Sequence, residues 1–109
     1  MVIDVGKEYF YRLANRDKNQ GDGTHNAEQF RKKYLSEFDS PEEWRIGKRE
    51  ITFDFTSVEI LGPSFANEAF AYFTKYASPE NILKRFHFIN ISEVKMDTIN
   101  EELTEGYRG

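Results

Sequence analysis

The chain has 109 residues, a formal net charge of −4, ten Phe, six Tyr, one Trp and no Cys. That length predicts one domain, large enough to bury a core without metal or disulfide staples, with the aromatic rings supplying much of the buried area. The lack of cysteine excludes a disulfide scaffold, thiol catalysis and thiolate zinc sites.

No apolar run approaches the roughly 20 residues that span a bilayer, and no N-terminal stretch reads as a signal peptide. The expectation is a cytoplasmic protein with no membrane partner. The acidic excess lies wholly in residues 51–109, while residues 1–50 are charge-balanced. An acidic domain is a poor general nucleic-acid binder, because phosphate contacts demand a basic face. The one tight basic cluster, Arg31-Lys32-Lys33, reads as a solvated helix face.

Val2–Val5 is a short β-prone run stopped by Gly6, expected as an edge or first strand. Glu8–Leu13 fits either a hairpin extension or a short helix. Asn15–Asn26 is rich in Asn, Asp and Gly and reads as a long loop. Asn26 or Thr24 caps the next helix, placed at about Ala27–Phe38, with Phe30, Tyr34 and Phe38 in one stripe. Ser40-Pro41 opens a short helix ending near Ile46-Gly47, with Ser40 as N-cap and Trp44 over a core edge.

Arg49–Phe55 is the clearest strand, with Ile51, Phe53 and Phe55 on one face and Thr52 and Asp54 on the other. Gly62-Pro63 breaks the chain. Ser64–Tyr76 is the clearest helix, with a broad Phe-rich face and with Tyr72 and Tyr76 on its outer side as a candidate partner patch. Ser78-Pro79 opens another short helix through about Lys84. Phe86–Ile91 is a strand. Ser92 caps a last helix through about Glu102, with Val94, Ile99 and Leu103 facing inward and a frayed tail from Thr104 to Gly109. The β-α-β-α order from residue 49 onward predicts an α/β fold with parallel strands.

The segment from Ile51 to about Leu103 resembles the STAS-like family of bacterial domains, relatives of the anti-sigma factor antagonists. The resemblance rests on Phe53-Asp54-Phe55, Val58, Ile60-Leu61 and Ser64-Phe65-Ala66-Asn67, with the strand ending in Asn90 and the helix after it as the family's close. Two positions differ. Asn67 stands where the family usually has Asp, and Gly62-Pro63 replaces the acidic-Ser pair that precedes the regulatory serine. The resemblance implies a small mixed or parallel sheet packed against helices. It also implies a regulatory, non-catalytic domain that binds a protein, with a GHKL-type ATPase or kinase as the partner class. Ser64 matches the phosphorylated serine by position. The implied docking surface is Leu61, Gly62, Pro63, Ser64, Phe65, Asn67 and Glu68.

Each of these residues also has a structural reading. Ser64 at a helix start fits an N-cap, its oxygen accepting from a backbone N–H of residue 66 or 67. A phosphate on it would add about −1.5 to −2 charge, tolerated by the helix end but opposed by Glu68 one turn on. Asn67 closes a capping interaction less well than Glu or Gln. Asp54, if buried, needs a donor or shifts upward in pKa. The competing functional reading is a small nucleotide-binding or phosphotransfer enzyme built on the Gly21–Thr24 loop and His25. That loop lacks the Gly-x-x-x-x-Gly-Lys order. Neither His25 nor His87 has a metal-ligand partner nearby in sequence, so no metal or cofactor is expected. A third reading is a self-associating structural module in which an exposed edge strand near Val2–Val5 pairs with a copy of itself; the oligomeric state expected is a monomer or weak homodimer.

Overall fold

The computed structural model describes residues 1–19 and 24–109. The order of elements is β1 (Val2–Asp4), α1 (Val5–Glu8), β2 (Arg12–Leu13), α2 (Ala27–Tyr34), α3 (Pro41–Ile46), β3 (Ile51–Asp54), β4 (Ile60–Leu61), α4 (Pro63–Ala69), α5 (Pro79–Leu83), β5 (Phe86–Ile89) and α6 (Glu93–Gly106). Single 3-10 turns follow α2 at Ser36–Phe38 and α4 at Ala71–Lys75. The strands form a three-stranded parallel sheet, ordered β1-β3-β5, and a small parallel pair, β2 with β4. The expected α/β class with parallel strands is the observed one.

Register explains the core. Ile3, Phe53 and Phe88 stand opposite one another in a row across the sheet, and Ile51 faces Phe86. Side chains alternate along a strand, so these residues share one face. Phe53 lies in the middle of that face, fully buried, with its ring centroid 5.8 Å from Phe30, 5.3 Å from Phe70 and 5.3 Å from Phe88. α2 brings Phe30 to it, Phe65 of α4 packs on Phe30, and α6 packs on α4 with Ile99 and Leu103 buried. The other face of the sheet carries Val2, Thr52, His87, Asp4, Asp54 and Ile89, all at least partly open to solvent. A parallel sheet is usually covered on both faces; this one is covered on one.

The capping chemistry read from sequence is largely observed. The side chains of Ser40, Ser78 and Ser92 accept hydrogen bonds from the backbone N–H groups of Glu43, Asn81 and Lys95. Asn26 caps α2 by accepting from the Gln29 N–H. The Trp44 ring packs against Phe38, Phe73 and Phe86 at the core edge, and its Nε1 donates to the Phe38 carbonyl at 2.7 Å.

Five expectations need correction. Val5 belongs to a helix and not to the first strand, because Asp4 caps α1 by accepting from the Lys7 N–H. Both long helices are shorter than expected and close in 3-10 turns. α2 ends at Tyr34, and α4 ends at Ala69, with Phe70 and Phe73 beyond it both buried in the core. α6 continues to Gly106, where the chain lies against Thr74 and Ala71. Val94 is 76% exposed, since it falls on the outer side of the first turn of α6. Arg31 is only 8% exposed and is no part of a solvated face; Lys32 and Lys33 alone are exposed there.

Gly6 stands in α1 directly against the Ser57 backbone, and a Cβ there would overlap the Ser57 carbonyl. Gly6→Ala therefore lowers the thermal midpoint even though alanine is the better helix former. A calorimetric scan in which Gly6→Ala raises the midpoint would contradict this close approach.

Candidate functional site

The turn from Leu61 into α4 is held by backbone pairing. Leu61 stands opposite Leu13 in the β2–β4 pair, and the Gly62 N–H extends the pairing by donating to the Leu13 carbonyl at 2.8 Å. Gly62 is the N-cap residue, in extended conformation, and Pro63 takes the first helical position, where its missing N–H costs nothing. Ser64 is therefore the second helical residue, one place beyond the cap. No side-chain hydrogen bond caps this helix. The expected capping role of Ser64 is replaced by proline chemistry: Pro63 starts the helix and moves the cap back to Gly62.

The structure divides the seven candidate residues. Leu61, Gly62 and Ser64 are half-buried and Pro63 is exposed. They adjoin Ile60 and Tyr11, each 46% exposed and linked by the Ile60 N–H donating to the Tyr11 carbonyl at 3.3 Å. Phe65 faces the other way and is fully buried, with its centroid 5.5 Å from that of Phe30. Asn67 and Glu68 are engaged within the chain. Asn67 Oδ1 accepts from Arg16 Nη1 at 2.8 Å. Glu68 Oε2 accepts from Arg31 Nη2 at 2.9 Å and from Nε at 3.2 Å, and its Oε1 lies 3.6 Å from Arg16 Nη1.

Arg31 continues from Glu68 to a second carboxylate. Its Nη1 lies 3.6 Å from Asp39 Oδ2, and its guanidinium stacks 3.7 Å from the centre of the Tyr72 ring. The hydroxyls of Tyr72 and Tyr76 both donate to Asp39, at 2.9 and 2.6 Å. The hydroxyls of these two tyrosines are therefore committed to Asp39, and their rings are half-buried, so they are no freely exposed patch. Burial pushes the Asp39 carboxyl up, but the hydrogen bonds from Tyr76 and Tyr72 and the charges of Arg31 and Lys75 outweigh it and hold the carboxyl below its usual range. The reciprocal hydrogen bond to Asp39, with burial, pushes the Tyr76 phenol up to about 12.

The other candidates lie elsewhere. Asp54 accepts from the N–H and hydroxyl of Thr56, at 2.9 and 2.6 Å, and from Asn90 Nδ2 at 3.1 Å. The Thr56 bonds lower its pKa, opposite to the upward shift that burial would bring. His25 stacks on Phe10 with centroids 4.3 Å apart and shares a cleft of about 430 Å³ with Lys18, Thr24, Gln29 and Lys33. Gly21, Asp22 and Gly23 lie outside the described residues. His87 Nε2 lies 2.6 Å from Glu50 Oε1. Among the described residues no group of three His, Asp or Glu side chains is placed to hold a metal ion, and no helix is long and apolar enough to cross a membrane.

Arg16 and Asp39 were not among the residues read from sequence, and Arg31 was read there only as part of a solvated face. Apart from the Arg31–Asp39 pair, eight positions apart, their partners lie 33 to 51 positions away in the chain, and no local spacing marks such pairs.

Residues 26–96 match the family model described as a STAS-like domain of unknown function (DUF4325). The match spans well over half of the chain, and the chain belongs to that family. No curated protein and no solved structure matches it.

Two measurements test this geometry. Ser40→Ala removes a cap bond and should cost about 1 kcal/mol, whereas Ser64→Ala should stay within about 0.5 kcal/mol of the parent in urea unfolding. Asp39 has a lowered folded-state pKa, so its contribution to stability is full above the ordinary carboxylate value and is lost as pH falls through the lowered one. Asp39→Asn should therefore be less stable than the parent at pH 7, and the gap should close as the pH drops below about 4. A gap that stays constant down to pH 2 would refute this linkage.

Proposed function

We propose that this STAS-like chain is a cytoplasmic, non-catalytic regulatory module. Its protein partner docks on the exposed edge formed by Leu61, Gly62, Pro63 and Ser64 together with Tyr11 and Ile60. The observation that carries this reading is the position of Ser64. Its hydroxyl is in the first turn of α4, half-exposed, with the cap position filled by Gly62. The fold does not use that hydroxyl as a cap, and the neighbouring surface is apolar enough to be worth covering.

The charge around Ser64 also favours a phosphate switch more than the sequence suggests. Glu68, the nearest opposing carboxylate along the helix, is balanced by Arg31 and Arg16. The first-turn N–H groups of a helix favour an added anion. A phosphate at Ser64 would thus be accepted by this chain while placing about two negative charges in a docking surface. The family resemblance points to a GHKL-type ATPase or kinase as the partner. The absence of cysteine fits a reducing compartment.

The competing reading, a nucleotide-binding or phosphotransfer site at His25, draws on the cleft with Lys18 and Lys33. It is weakened by the stacking of the His25 ring on Phe10, which occupies one face of the imidazole.

The test is binding to the partner recovered by co-purification from the source cell. Ser64→Ala should bind as the parent does, and Ser64→Asp should weaken binding by about two decades, or roughly 3 kcal/mol. Equal affinity of the two variants would remove the switch. Loss of binding on Ile60→Asp would support the docking edge, and unchanged binding would remove it.

A further inference from the structure

A second surface is built from different residues. Between the end of α3, the 3-10 turn after α4, α5 and the end of α6 runs an open groove. It has two lobes of about 490 and 690 Å³ that share Tyr76, Ala77 and Asn81. The acidic half of the chain, residues 51–109, has only five basic side chains, and four of them, Lys75, Lys84, Arg85 and Arg108, line this groove. Lys48 joins them from the first half, and Glu50, held by His87, is the one acidic side chain in the lining.

Arg85 is consumed by the fold, donating to the carbonyls of Glu43 and Arg49 and to the Glu43 carboxylate. Lys48, Lys75, Lys84 and Arg108 are exposed, and among the described residues none has a carboxylate within ion-pair distance. Lys48 and Lys84 line one lobe, and Lys75 and Arg108 line the other. That spacing suits charges distributed along a chain, not a single compact phosphate.

Two kinds of extended polyanion satisfy such a groove, and the aromatic residues separate them. Single-stranded nucleic acid draws its affinity from bases stacked on open ring faces. Here Tyr72 has Arg31 and Lys75 within 3.7 and 3.8 Å of its ring centre. Trp44 has Arg85 over its ring at 4.6 Å and core phenylalanines beside it. Of the large aromatic residues in the lining only Tyr107 is exposed. We infer that this groove binds an acidic peptide segment in extended form, Lys48 and Lys84 pairing with carboxylates in one lobe and Lys75 and Arg108 in the other. The inference does not depend on the reading of Ser64.

Trp44 is the only tryptophan in the chain and lines the groove, so its fluorescence reports occupancy. The probe is a twelve-residue Glu-rich peptide, titrated against the full chain at low salt, with oligo-dT of the same length as the comparison. The peptide should bind saturably. Lys48→Glu/Lys84→Glu should weaken it about tenfold or more, as loss of complementary charge does. Lys7→Glu/Lys33→Glu, the same change of net charge at exposed sites outside the groove, should leave it within about twofold, and Ser64→Asp should leave it unchanged. All substituted lysines are exposed, and matching circular dichroism spectra establish that the variants fold. Absence of saturable peptide binding, equal weakening by the two double variants, tighter binding of oligo-dT, or a mass that doubles with concentration in the absence of peptide would each overturn the inference.

Discussion

Phe53 is the constraint on which the rest of the structure depends. It sits at the centre of the central strand, and its ring meets one from α2, one from the end of α4 and two from β5. Large aromatic side chains bury much area and pack with defined geometry. One ring in that position therefore fixes where two helices and a neighbouring strand can lie. Beyond the end of α4, Phe70 and Phe73 both set their rings against Phe86, which Phe53 also meets.

Around this apolar centre the chain ties α2 to α4 with charge. Arg31 is held by Glu68 on one side and Asp39 on the other, with Tyr72 beneath it. A guanidinium that is mostly buried has to be met by acceptors on several sides, and the residues that meet it come from two separate parts of the chain, Asp39 and the stretch 68–72. This network orients the helix that carries Ser64, and it removes Glu68 from the outer surface. The turn at Leu61–Gly62 and the helix after it are thus both held: β2–β4 pairing fixes the turn, and Arg31 fixes the helix through Glu68.

The two surfaces differ in character. The edge around Ser64 is apolar with one hydroxyl that does not serve as a cap, and the switch proposed there acts through a change of charge. The groove beside Trp44 is cationic in an acidic half of the molecule, so its attraction is for negative charge and weakens with salt. The sheet face bearing Thr52, His87 and Asp54 is open as well, but His87 is paired with Glu50 and Asp54 with Thr56 and Asn90.

The sequence by itself determined the local structure. Ser40, Ser78 and Ser92 before Pro or Glu, the alternation of Ile51, Phe53 and Phe55, and the Gly62-Pro63 break all act over a few residues, and such signals are readable because their physics is short-range. The STAS-like kinship was legible from Phe53-Asp54-Phe55 and Ser64-Phe65-Ala66. Tertiary structure alone decided which of those residues remain available. Phe65 went to the core, Glu68 to Arg31, and Tyr72 and Tyr76 to Asp39, while Ser64 lost its cap role to Gly62. The groove of lysines was equally invisible, because its members lie scattered from Lys48 to Arg108. Pairing across such separations depends on where packing brings the chain, and no local pattern encodes that.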